Sequence, residues 1–259
     1  MAITTDGLIA EWVAKLATGT GPGTNSPYVE TWVDIVGAYD GALAGFTPDT
    51  ASGWAGAGTA LDPYCLVFAG TDDTVDTGDL SAGEDLTVSY EVWFKTTSGG
   101  SSLKMVGDAS SLANTNDKTH MGLNAAKLFG QQSDRSYQTA TIASTASVNG
   151  GEWTHGVLTI DGSYLLLYVN GTSDADAVAV YSATLVQDQS GIGFSNDQLP
   201  DGFFIGSIAT VRVYSKALSS GEVAANYAAG ILAASTDSAV EAPVLSAAQV
   251  GSDIQISWT

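Results

Sequence analysis

The stretch Phe203–Gly230 constrains the fold more than any other part of the sequence. From Phe203 to Tyr214 it is rich in β-branched and aromatic residues, with Ile208, Thr210, Arg212 and Tyr214 on one face of a strand and Ala209, Val211 and Val213 on the other. Ser219 then stands three residues before Glu222. In that reciprocal pattern each side chain satisfies a free backbone N–H at a helix start. Gly230 falls where the helix must stop, and Val223, Ala224 and Tyr227 share a helical face. The stretch reads as a long strand, a sharp turn and one short helix.

Elsewhere, short apolar runs alternate with turn residues. Gly7–Ala14 reads as a first strand, with Leu8, Ala10 and Trp12 against Ile9, Glu11 and Val13. Thr18–Pro27 is a Gly/Pro/Thr/Asn loop. Leu66–Val75 and Leu86–Phe94 read as neighbouring antiparallel strands, joined through Asp76–Asp79 and Ser81–Asp85. Leu103–Gly107 and His120–Leu123 are short strands around a polar loop, and Lys127–Gly130 and Ser136–Ile142 continue the pattern. Glu152–Thr159 and Tyr164–Val169 form a hairpin about Asp161-Gly162, and Asn170-Gly171 turns the next corner. Thirty glycines beside few charged residues suit many short strands and tight turns.

Charge excludes one class of partner. Eight Lys and Arg face 28 Asp and Glu, a formal charge of -20, which repels phosphate backbones and argues against nucleic-acid binding. The same charge serves solubility, adaptation to salty surroundings, or Ca²⁺ binding by loop carboxylates. The single cysteine, Cys65, rules out an intrachain disulfide and reads as a small buried hydrophobe. Met1–Asp6 has neither the basic region nor the apolar run of a signal peptide, and no stretch is long enough to insert into a membrane.

Five segments, in order, resemble laminin G-like domains of the concanavalin A-like lectin/glucanase superfamily: Gly7–Trp12, Leu66–Val75, Leu86–Phe94, Trp153–Gly171 and Ile205–Val223. The resemblance implies an all-β fold, a two-sheet antiparallel jelly-roll sandwich (concanavalin A-like) with one short C-terminal helix. It also implies that the first and last strands pair. It does not choose a function, since this fold carries lectins, glycosidases and structural modules. Thr31–Leu43, with its W-x-D-x-x-G-x-x-x-G-x-L pattern, is similar to modules of phage and bacterial surface proteins; Trp32 there reads as a core plug. Trp54, in the small-residue loop 47–60, is the candidate carbohydrate-stacking surface, with packing of that loop onto the sandwich as the alternative. The family's rim calcium site would fall on Asp72 or Asp73. Against it, Gly206–Arg212 has no acid where the family pattern G-x-I-D-D-V-R carries two.

Glycoside hydrolysis needs two carboxylates across the sugar, about 5–5.5 Å apart for retention. Laminarinase-like relatives carry them as E-x-D-x-x-E, a spacing missing from this sequence. Glu91 has no acid two or five residues on, Glu152 stands alone, and Glu222 is accounted for as a helix cap. His120 and His155 are far apart, no serine lies in a G-x-S-x-G elbow, and zinc-ligand spacing is missing. The expectation is a protein with no catalytic residues, with Arg212 in a structural pair with a nearby Asp.

Residues 1–232 are thus expected to form the sandwich, 233–241 a small polar linker, and 242–259 the start of an incomplete fibronectin type III-like module. Ile254, Ile256 and Trp258 alternate as a half-buried strand. Such a module needs roughly 100 residues, so the chain reads as cut within it. The missing export signal, the phage-like opening and the second module lead to one expectation: a non-catalytic virion surface protein, a head decoration or tail/fibre component. Its partners would be other virion structural proteins or a cell-surface glycan, within an oligomer or larger assembly. The alternative is a bacterial or archaeal cell-surface adhesin.

Overall fold

The computed structural model describes residues 2–14, 30–47, 52–80, 87–111, 117–181, 185–195 and 202–235, and the backbone of 245–250 and 253–258. The expected loops at Thr18–Pro27 and Ser81–Asp85, and residues 236–241 of the expected linker, lie outside them. Alternating strands pair antiparallel into two facing sheets. The first runs, in spatial order, β14 (Thr172–Ser173), β13 (Tyr164–Val169), β12 (Thr154–Asp161), β7 (Thr87–Lys95), β17 (Ile205–Tyr214), β5 (Cys65–Ala69) and β4 (Gly53–Ala55). In this sheet β1 (Leu8–Val13) also pairs with β17, and β15 (Val178–Ala179) with β13. The second runs β11 (Thr139–Ala143), β10 (Lys127–Ser133), β9 (Lys118–Asn124), β8 (Leu103–Ala109), β16 (Gln189–Ile192), β6 (Thr74–Gly78), β3 (Gly41–Ala44) and β2 (Thr31–Trp32). The expected jelly-roll sandwich is what forms. A hairpin, β18 (Leu245–Val250) and β19 (Asp253–Trp258), makes a two-stranded sheet of its own.

Register places the core. Ile142, Gly130, Met121, Val106, Ile192, Val75 and Leu43 form one inward row across seven strands of the second sheet. Its apolar members pack with Tyr90, Val92, Phe94, Leu158, Val211 and Val213 of the first sheet. The next inward row is polar: Gln132, Thr119, Asp108 and Ser190. Tyr90 donates its hydroxyl to Asp108 at 2.6 Å and Ser190 does the same at 2.5 Å, closing one end of the core with hydrogen bonds.

β17 is the central rung. It pairs with β7 on one side, and on the other with β5 along its first half and β1 along its second. The first and last strands of the sandwich therefore do pair. A bulge between Ile208 and Thr210 shifts the alternation. Ile208 thus turns into the core with Val211 and Val213, contrary to the simple two-face reading. Leu66–Val75 is also not one strand beside Leu86–Phe94. It breaks at Gly70 (φ +81), so β5 and β6 lie in opposite sheets, and β17 stands between β5 and β7. Asp73 holds that crossing by accepting from Ala69 N–H at 2.5 Å.

The W-x-D-x-x-G pattern has a local cause. The buried carboxylate of Asp34 accepts from the backbone N–H groups of Glu11, Val36, Gly37 and Tyr39, at 2.9, 3.0, 2.9 and 3.2 Å. One side chain thereby satisfies a whole turn and fastens it to β1. Gly37 is required there because a Cβ would sit 2.8 Å from both Asp34 Oδ2 and the Ile9 carbonyl. Trp32 is fully buried in the core.

Among the described residues the helix is α1 (Ser220–Ala229), which starts and stops where the sequence says. Ser219 Oγ accepts from Glu222 N–H at 3.3 Å and the Glu222 carboxylate accepts from Ser219 N–H at 2.8 Å, while Gly230 takes φ +88. Its buried face is Val223 and Asn226. Tyr227 is 40% exposed, its ring stacked on Trp93 with centroids 5.7 Å apart. Ser219→Ala should cost about 1 kcal/mol, read as a lowered urea midpoint with an unchanged m-value.

Candidate functional site

The outer face of the first sheet, under α1, holds a buried cluster of ionisable groups. Glu11 on β1, Arg212 on β17 and Glu91 on β7 are direct cross-strand neighbours, all fully buried. Arg212 Nε donates to Glu11 Oε1 at 2.6 Å, Nη1 donates to Glu91 Oε1, and Nη2 donates to the Ala233 carbonyl at 2.5 Å. Glu91 Oε2 also accepts from Asn226 Nδ2 at 2.6 Å and from the Tyr214 hydroxyl at 3.2 Å. His155 Nε2 lies 3.2 Å from Glu91 Oε1. Ser235 N–H donates to Glu11 Oε2 at 2.9 Å, so the sandwich holds the chain three residues into the stretch whose composition marks a linker. The Arg212 partners are glutamates, not the expected Asp. Burial pushes Glu91 up, but the Arg212 charge, the adjacent His155 ring and the hydrogen bond from Asn226 outweigh it and hold the carboxyl at about 2. This acid pair is tied to one guanidinium and covered by protein, so no substrate bond can reach it.

The residues singled out from sequence lie elsewhere and apart. Trp54, on edge strand β4, is half-buried, its ring edge-on to Trp32 at 5.5 Å. Asp73 is buried in the β5–β6 crossing, whereas Asp72 is exposed and accepts from Thr71 Oγ1 at 2.8 Å. Ca²⁺ takes six to eight oxygen ligands. Among the described residues no three His, Cys, Asp or Glu side chains come together to share a metal ion. His155 is a buried sheet-face histidine between Trp93 and Tyr227. Cys65 is buried, and burial pushes its thiol up to about 11.

A cleft of about 300 Å³ opens between the β11–β12 connection and the β13–β14 turn. Its polar lining is Ser147, Glu152, Thr154, Asn170 and Asp174, and its apolar lining includes Val148 and Val169. The walls are held by both sheets. Val148 N–H donates to the Ala126 carbonyl at 2.8 Å, Gly151 N–H to Thr96 at 3.0 Å, and Asn170 N–H to His155 at 2.8 Å. Asp174 joins the two walls, accepting from Thr145 N–H at 2.6 Å and from Thr145 Oγ1 at 3.1 Å. By sequence Asp174 reads as a solvated turn residue and Glu152 as a lone acid. Only the return of the chain through β12 and β13 brings them to one cleft, and no local motif signals it.

A family model described as "Concanavalin A-like lectin/glucanases superfamily" matches residues 69–224. No curated protein sequence matches the chain. Among solved structures, domain 4 of AbnA, a GH43 extracellular arabinanase from Geobacillus stearothermophilus in complex with arabinotriose, superposes with a TM-score of 0.57 at 17% identity, covering 85% of this chain and 98% of that one. The binding domain of botulinum neurotoxin serotype D gives a TM-score of 0.57 at 13% identity, over 86% of this chain and 52% of that one. The binding domain of botulinum neurotoxin DC in complex with rat synaptotagmin II gives 0.57 at 11% identity, over 86% and 51%. At these identities the likeness is one of fold.

Proposed function

We propose that this chain, which belongs to the laminin G-like family of the concanavalin A-like lectin/glucanases superfamily, is a non-catalytic glycan-recognition module. The observation that carries this reading is the fate of the acid pair: Glu11 and Glu91 are locked on Arg212 and buried. A glycosidase needs its two carboxylates open to the sugar. The arabinanase domain, alike in fold, is in complex with arabinotriose, which supports a glycan as the ligand class. Among the described residues no helix is long and apolar enough to cross a membrane.

The setting we propose is a virion surface, as a head decoration or tail/fibre component, with residues 242–259 opening a fibronectin type III-like module. Two tests apply. On a glycan array the protein should retain a subset of glycans, and incubation with the same glycans should release no product. Hydrolysis would overturn the non-catalytic reading, and an array without hits would overturn glycan recognition. Copurification with virus particles supports the setting, and recovery only from a cell envelope overturns it.

A further inference from the structure

We propose that the cleft between the β11–β12 connection and the β13–β14 turn receives one neutral or amino sugar unit and turns away anionic sugars; this rests on the glycan-binding reading above. At about 300 Å³ the cleft is at the small end of ligand pockets, fit for a single sugar unit rather than a chain. Its polar groups match a polyol. The carboxylates of Glu152 and Asp174 accept hydrogen bonds, Ser147 and Thr154 donate or accept, and the Asn170 side-chain NH₂ donates while its Oδ1 accepts from His155 N–H at 3.0 Å. Val148 and Val169 give an apolar patch for the C–H side of a sugar ring. Asp174 is oriented by Thr145, and a carboxylate with two donors still has acceptor sites to spare. The walls are already hydrogen-bonded to both sheets, which lowers the ordering cost of binding.

Charge sets the class of sugar. Two carboxylates and no basic residue line the cleft, on a chain of net charge -20. A uronic or sialic acid there would bring a third carboxylate into a partly desolvated acidic site with no cation to pair it. A protonated amino sugar would instead make a charge-assisted hydrogen bond.

Gly150 supplies the test. It lines the cleft, and a Cβ added there meets nothing within 4 Å, so the position accepts a side chain and Gly150→Phe brings a ring to the cleft. The full chain is titrated by calorimetry with glucose, glucosamine, N-acetylneuraminic acid and the best array hit. Glucosamine or glucose should bind at least tenfold tighter than N-acetylneuraminic acid. Gly150→Phe should weaken the best ligand tenfold or more at an unchanged melting temperature, and Trp54→Ala should leave it within a few fold. Glu152→Lys, at an exposed position, should remove the preference over N-acetylneuraminic acid even if Gly150→Phe misfolds. Glycan binding that survives both cleft variants, fails in Trp54→Ala, or favours the anionic sugar overturns the cleft assignment while the lectin reading stands. A chain that binds no glycan overturns both.

Discussion

Arg212→Ala should lower the unfolding free energy by about 3–5 kcal/mol, enough to remove much of the stability of a domain this size. The guanidinium bridges β1, β7 and the segment after α1 through Glu11, Glu91 and the Ala233 carbonyl. Without it two carboxylates stay buried beside each other with no cation. The loss is therefore mostly the cost of stranded charge rather than of contacts. Arg212→Lys should recover only part of it, because one ammonium cannot present the planar fork that meets acceptors on two strands and on the segment after α1. A triple replacement, Glu11→Gln, Glu91→Gln and Arg212→Met, removes the charges together and should fall well short of the single-variant loss. Urea unfolding of the three proteins decides the matter. If Arg212→Ala is as stable as the parent, water reaches both glutamates and no charge is stranded.

That network marks where reading the sequence stopped. Arg212 could be flagged as a buried cation needing an acid, since a charged residue in the middle of an apolar strand has few other uses. Its partners are 201 and 121 residues away, and only the register of β17 against β1 and β7 identifies them. The pairing of first and last strands, once expected, did contain the answer for Glu11, because Glu11 and Arg212 sit on the same side of adjacent strands. Short-range chemistry was the most legible. The Ser219/Glu222 cap and the Asp161-Gly162 hairpin depend on residues within a few positions of one another. The bulge at Ile208–Thr210 and the break at Gly70 depend on what the opposite strand or sheet demands, and no periodicity in the segment itself encodes that. The cleft shows the same limit. Glu152 and Asp174 are ordinary loop acids until two strands carry the chain out and back.

Acid should unfold the protein through Glu91. Its carboxyl is held at about 2, against an ordinary 4.5, despite the opposing effect of burial. A depressed carboxylate gives stability that is present above its unfolded value and lost as the pH falls toward its folded one. The window is therefore about pH 5 down to pH 2, and the stability at stake is about 3 kcal/mol. Two other effects act over the same range. Protonating surface acids relieves the repulsion of a chain at -20, which stabilises it as the pH first drops. Glu222 is also held at about 2, by Lys216 and the Ser219 backbone, but it is largely solvated and screened. The total pH profile mixes these contributions, so the informative quantity is the difference between the parent and Glu91→Gln, which has no proton to take up at that position. Urea midpoints measured at pH 7, 5, 4 and 3 should show the parent losing about 2–3 kcal/mol more than Glu91→Gln below pH 5. Parallel profiles would mean that Glu91 is not held as a buried anion, and the locked acid pair would no longer argue against catalysis.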